Sequence, residues 1–224
     1  IQNFEVGKDA SLEQLRKKHD AILIATGVYK AREVEIPGND LNNIFPAMDC
    51  VRTSVRQKAK SVKCLYRRDR ENMPGSAREV GNAIEEGVDF VWLTSPKSFI
   101  GSSKVEAVEV NKMKLGEPDS SGRRRPEVDS GSEYKIPADL VIKSLLFDPE
   151  NLPKLFNAEE LVVSQWGTIK IDLKSMQTNL DGVFAAGDIV RGASLVVWAI
   201  RDGRDAATQI EKYLQLKIQK SKSV

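Results

Sequence analysis

Apolar residues recur along this chain in two rhythms. Ala21-Ile22-Leu23-Ile24-Ala25 is an unbroken apolar run of strand length that ends at Thr26-Gly27, the pattern of a strand covered on both faces in a parallel sheet. Asp139 to Leu146, Trp166 to Asp172 and Val183-Phe184-Ala185-Ala186 read as further strands, and Phe4 to Val6 as a short one. Helical spacing appears at Met48, Val51, Val55 and Ala59, followed by a strand at Ser61 to Tyr66. The pattern then repeats: Ser76 caps a helix to about Glu86, Gly87 ends it, and Val88 to Leu93 is the next strand. Ser11 caps a polar helix to about Lys18, and a long helix runs from about Ser194 to Leu216. Strands at Val105 to Met113 and Tyr134 to Ile136 flank the hydrophilic stretch Glu117 to Val128. Its Arg123-Arg124-Arg125 reads as a solvated hairpin end, with an anion site as the alternative. Glu35 to Asp40 is a turn-rich connection, and the polar tail from Gln219 to Val224 is expected to fray.

Alternating helices and strands predict an α/β fold. With 224 residues, 41% of them hydrophobic, the chain can bury a real core. Its 34 basic and 32 acidic residues leave a net charge of +2, so no global field points to nucleic acid or an anionic membrane. The longest apolar stretch, Ala193 to Ile200, is far short of the roughly 20 residues that span a bilayer, and the expected location is the cytoplasm. Cys50 and Cys64 lie too far apart for a C-x-x-C pair and read as small core residues. His19 follows Arg16-Lys17-Lys18 at a polar helix end, a poor place for a metal ligand or a base, and no metal site is expected.

The most informative segment is Gly182-Val183-Phe184-Ala185-Ala186-Gly187-Asp188, with a helix starting at Ser194 soon after. A buried strand, a glycine that admits close approach and an aspartate that accepts hydrogen bonds from ribityl or ribose hydroxyls suit a flavin nucleotide. The following helix adds amide donors and a partial positive charge. Taken alone, Asp188 reads equally as an N-cap or turn residue.

Three longer segments carry a family resemblance: Ala25-Thr26-Gly27-Val28-Tyr29-Lys30-Ala31-Arg32, the stretch from Cys64 through Arg67-Arg68-Asp69-Arg70 to Ser76, and Ala185 to Ala207. They resemble the small (beta) subunit of bacterial NADPH-dependent glutamate synthase. The resemblance implies two Rossmann-like dinucleotide-binding domains, of FAD and NAD(P)H type, the second inserted in the first. On this reading residues 1–46 and 156–224 belong to the FAD domain and residues 47–155 to the NAD(P)H domain. It also implies hydride transfer from NADPH to FAD. Electrons then pass through iron-sulphur clusters, held in the family's N-terminal region, to a large (alpha) subunit that forms two glutamates from glutamine and 2-oxoglutarate. Thr26, Gly27, Gly187 and Asp188 would line the FAD, with Leu195, Val196 and Val197 beside the isoalloxazine. Arg67 and Arg68 would clamp the 2′-phosphate of NADPH, because guanidinium forks suit a phosphate dianion where NAD-selective sites carry an acid. No catalytic side chain is assigned, since hydride transfer is the cofactors' own chemistry.

The sequence also departs from that family. None of its fifteen glycines forms a G-x-G, so the G-x-G-x-x-G fingerprint is missing from both domains. One fingerprint is expected upstream of Ile1. The other is cut out where Asn43 to Asp49 joins Ala47 to Thr53, removing the first strand of the NAD(P)H domain and its phosphate-holding turn. Both domains are therefore expected to be incomplete, and the chain alone inactive. Leu146 stands where the family has glycine. The competing readings are a non-catalytic relic that binds no nucleotide, and the input module of a related flavin oxidoreductase of pyrimidine or ferredoxin reductase type.

Overall fold

The computed structural model describes residues 1–46, 50–73, 76–118 and 122–222, so part of the joint expected near Met48 lies outside it. In chain order the helices are α1 (Leu12–Lys18), α2 (Cys50–Arg56), α3 (Ala77–Glu85), α4 (Leu152–Leu155), α5 (Asp188–Arg191) and α6 (Val196–Lys222). The strands are β1 (Ile22–Ile24), β2 (Lys30–Ala31), β3 (Ile44–Pro46), β4 (Lys63–Tyr66), β5 (Asp89–Trp92) and β6 (Thr94–Gly101). They continue with β7 (Val105–Pro118), β8 (Arg124–Val128), β9 (Tyr134–Pro137), β10 (Val141–Lys143), β11 (Phe147–Asp148) and β12 (Val183–Ala185). Two compact units result: Ile1–Arg32 with Leu146–Val224, and Glu33–Leu145. The divisions fall at Arg32 and Leu145 where the sequence suggested 46 and 155. β3 pairs with β10 within the inserted unit, and β11 pairs with β2 within the outer one.

In the outer unit, α1 begins with a capping box: Ser11 Oγ accepts from Gln14 N–H at 3.2 Å, and Gln14 Oε1 accepts from Ser11 N–H at 2.8 Å. β1 and β12 pair in parallel, Ile22 opposite Val183 and Ile24 opposite Ala185. Leu12, Ile24, Leu161, Ile169, Val183 and Ile189 form the main core. β12 is buried throughout, but Leu23 of β1 is exposed, so β1 is covered on one face where two were expected. Two expected strands are absent. At Phe4 to Val6 the chain turns instead, with Gly7 at φ +95° and only a Val6–Ala10 bridge. At Trp166 to Asp172, Gly167 takes φ +82° and the segment keeps a single bridge, Val163 to Ile169. α6 runs through Lys222, past the end that the apolar pattern marked at Leu216.

Leu146 adopts φ +66°, a left-handed conformation that favours glycine. Its side chain is 48% exposed, so truncating it forfeits little packing. Leu146→Gly is expected to raise stability by about 1 kcal/mol, read as a higher denaturant midpoint. An unchanged or lower midpoint would contradict this account of the strain.

The inserted unit holds two separate parallel pairs, β4 with β5 and β3 with β10. Beside them lies the antiparallel sheet β6-β7-β8, with β9 also on β7, packed around Phe99, Val105, Val108, Val110 and Ile136. β6 was not anticipated, because Ser95, Pro96, Lys97 and Ser98 hide its alternation. α2 carries no buried residue among those described and is tied to α3's end by charge: Glu86 accepts from Arg52 and Arg56, which hold its carboxyl down at about 2. β3 precedes α2 in the chain and lies parallel to β10, the neighbour that a first strand takes in this topology. Among the described residues it spans three and makes no ladder with β4.

Candidate functional site

Ligands in open α/β sheets bind outside the carboxyl ends of parallel strands. β1 and β12 are neighbours in register, Ile24 opposite Ala185, so the segments that follow them emerge side by side. Those segments are Ala25-Thr26-Gly27 and Ala186-Gly187-Asp188. The two families of residues singled out in the outer unit are therefore brought together by the sheet. Ala186 N–H donates to Ile24 O at 3.1 Å and closes the pair just before the turns.

Gly187 takes φ +79° and ψ −151°, a combination essentially reserved for glycine. Space does not impose this choice, because an added Cβ would meet only Ala199 Cβ at 3.9 Å. The turn thus presents bare backbone, and Asp188 follows it as the half-buried first residue of α5. Gly27 is also left-handed, at φ +71°, while Thr26 is exposed. Leu195 precedes α6, and Val196 and Val197 open it. All three are exposed, as are Trp198 and Ile200, so an uncovered apolar surface marks the start of that helix. Positive-φ backbone, an aspartate and an apolar face together fit a flavin nucleotide, which needs polar contacts along its chain and apolar cover on its ring.

One residue here escaped the sequence reading. Asp202 on α6 is 3% exposed, and its carboxylate accepts from Arg191 Nε at 2.5 Å and Nη2 at 2.6 Å. These bonds hold its carboxyl below the usual carboxylate range. The signal was in the spacing: Asp202 shares a helix face with Ala206, Ile210 and Tyr213, a charge in an apolar stripe.

In the inserted unit, Arg67 and Arg68 follow the carboxyl end of β4, and they differ sharply. Arg67 is exposed. Arg68 is 7% exposed, and its Nε donates to the carbonyl of Arg124 in β8 at 2.8 Å. Arg124 in turn donates its N–H to Asn72 Oδ1 at 3.1 Å, and its side chain bonds the carbonyls of Gly116 and Leu115. The expected solvated hairpin end is therefore tied back to the loop after β4, although residues 119–121 of that tip lie outside the described part. A phosphate clamp that used both arginines is reduced to one exposed guanidinium and one that braces the loop. The sequence has no glycine between β3 and α2, where a dinucleotide's pyrophosphate needs close backbone approach, so the residue types there do not fit that group.

A profile of the pyridine nucleotide-disulphide oxidoreductases matches residues 47–203. The chain belongs to that family. It is 51% identical over 255 residues to the "Glutamate synthase [NADPH] small chain" of Azospirillum brasilense, an alignment covering 96% of this chain and 53% of that protein. Its identity to the protein of the same name from Escherichia coli is 38% over 257 residues, covering 96% and 54%. The chain spans about half the length of these curated relatives. Each alignment is longer than the chain itself, so the relatives carry residues within the matched stretch that have no counterpart here. In fold, the chain superposes on the His57Gln mutant of FprA from Mycobacterium tuberculosis with a TM-score of 0.75 at 17% identity, covering 98% of this chain and 69% of that one. The α/β architecture with a second unit inserted in the first is thus that of the pyridine nucleotide-disulphide oxidoreductases.

Proposed function

We propose that this oxidoreductase is the electron-input part of an enzyme of the glutamate synthase small-chain type. In such an enzyme NADPH gives a hydride to FAD, leaving NADP⁺ and, with one proton, the two-electron reduced flavin. The electrons go on through iron-sulphur clusters to a large subunit that reduces the product of glutamine and 2-oxoglutarate to glutamate. The setting would be the cytoplasm. The 51% identity to the Azospirillum brasilense small chain supports this assignment, and the pairing of the Thr26-Gly27 and Gly187-Asp188 turns at neighbouring strand ends carries it. FAD supplies the redox chemistry. The chain's own residues hold it: Asp188 accepts hydrogen bonds from hydroxyls, Gly27 and Gly187 keep side chains out of the way, and Leu195, Val196 and Val197 cover the ring. Relatives such as the "NADP(+)-dependent formate dehydrogenase subunit beta" of Moorella thermoacetica, 34% identical, keep open another electron acceptor for the same input module. The bland alternative is a relic that binds no nucleotide.

Colour separates these readings. The FAD-loaded wild type is expected to retain its visible flavin spectrum through gel filtration, and Asp188→Ala to lose about tenfold in FAD affinity, the effect of one charged hydrogen bond. A colourless wild type favours the relic, and an Asp188→Ala protein with undiminished flavin removes that residue from the site.

The two arginines are expected to separate as their geometry does. Arg67→Ala should weaken binding of adenosine 2′-monophosphate by roughly tenfold and leave adenosine 5′-monophosphate unaffected, since a charge-assisted bond to phosphate is lost. Arg68→Ala should instead lower the melting temperature, because the bond that ties the loop after β4 to the Arg124 carbonyl of β8 is lost. Calorimetric titration and a thermal scan check both, and equal ligand effects from the two variants would contradict the division of roles.

A further inference from the structure

The buried carboxylate of Asp202 takes no part in the proposed reaction, yet it joins the two segments assigned to the flavin. From α6 it holds the Arg191 guanidinium at the end of α5, the short helix that Gly187 caps and Asp188 opens. The same guanidinium lies over the ring of Trp198, 5.3 Å from its centre, next to Val197 in the first turn of α6. Asp202 therefore fixes the turn that precedes Asp188 against the start of α6. A buried ion pair is a poor device for stability alone, because apolar residues of similar volume often serve as well or better. It is a good device for holding a backbone that no side chain of its own anchors, and Gly187, at φ +79°, is such a backbone.

We infer that Asp202 is a positioning residue, setting the Gly187-Asp188 turn against Leu195, Val196 and Val197, and that its pairing with Arg191 keeps the arginine's charge from acting on a flavin bound there. The inference rests on the flavin reading proposed above. It has an electrostatic signature that a merely structural role lacks. Unpaired, the Arg191 cation stabilises the electron-rich reduced flavin, whereas an unpaired Asp202 anion destabilises it.

The test is the midpoint potential of the FAD-loaded protein, measured by anaerobic equilibration with a reference dye. Asp202→Asn is expected to raise it by about 30 mV, a tenfold change in the ratio of oxidised to reduced flavin for a two-electron couple. Arg191→Gln is expected to lower it by a similar amount. The double variant, neutral at both positions, should return to the wild-type potential and bind FAD about tenfold more weakly. Tyr213→Phe removes a 3.0 Å bond to Asp181 toward the far end of the same helix, and serves as the structural control, with a lower melting temperature and an unmoved potential. Unchanged potentials in both single variants, or shifts of the same sign, overturn the inference while the flavin reading stands. Should the single variants fail to fold, a double variant with wild-type FAD affinity overturns it equally. A wild type that takes up no FAD overturns the flavin reading and this inference together.

Discussion

Phe184→Ala is expected to destabilise the outer unit by about 3 to 5 kcal/mol, the range for deleting a fully buried aromatic ring. Phe184 is 1% exposed at the centre of β12, packed with Met176, Ala186 and Ala206, and it meets the Tyr213 ring edge-on at 5.6 Å between centres. Few neighbours can close the gap, because β12 is held in register with β1 and Tyr213 is anchored to Asp181 at 3.0 Å. Against a total stability of about 5 to 15 kcal/mol, a loss of this size leaves a marginal domain. Because Phe184 lies in the strand that delivers Gly187 and Asp188, flavin retention should fall with the melting temperature. Chemical denaturation followed by tryptophan emission measures the change, and a loss below about 1 kcal/mol would contradict the packing described.

The second large effect concerns the inserted unit. Inserting a β-strand followed by a G-x-G-x-x-G turn between β3 and α2 is expected to join the β4-β5 and β3-β10 pairs into one sheet. In the doubly wound order the first strand lies between the second and the fourth. Here β4 and β5 pair with each other, β3 pairs with β10, and no ladder links the two pairs among the described residues. A two-stranded parallel pair with an unpaired edge is weakly protected. Amide hydrogen exchange in β4 should therefore slow by about tenfold or more in the grafted protein, since opening would then require breaking a central strand. Equal exchange in the two proteins would show that the existing pairs already form a complete sheet.

Much of this was legible in the chain. The run at Ile22 to Ile24 and the segment from Val183 to Asp188 each combined an apolar pattern with a matching end signal, the polar helix after Ser11 had its cap, and each formed where expected. The flavin-side candidates Thr26, Gly27, Gly187 and Asp188 could be singled out because strand-end glycine and aspartate are local features. What was missed depends on tertiary pairing. The Trp166 to Asp172 segment has strand-like composition, but the Gly167 turn and the short bridge to Val163 fold it back. Arg68 looked like a phosphate ligand by its place after β4, and only the pairing of β7 with β8 brings the Arg124 carbonyl to its Nε. Asp202 was invisible as a partner for Arg191 because the two meet through the packing of α6 on β12, although its charge in an apolar stripe marked it as unusual. The departure at Leu146 was readable as a missing glycine, and the structure gives it physical form as a positive φ.

In the proposed function the chain holds FAD at the Thr26-Gly27 and Gly187-Asp188 turns, while no glycine stands between β3 and α2 to hold the pyrophosphate of its reductant. Anaerobic titration with NADPH of the FAD-loaded chain, and of the same chain carrying the graft, tests it most directly. The account predicts that the visible flavin band persists in the unmodified chain and bleaches in the grafted one. Bleaching of the unmodified chain at a comparable rate, or a grafted chain that binds FAD and stays yellow under NADPH, would contradict it.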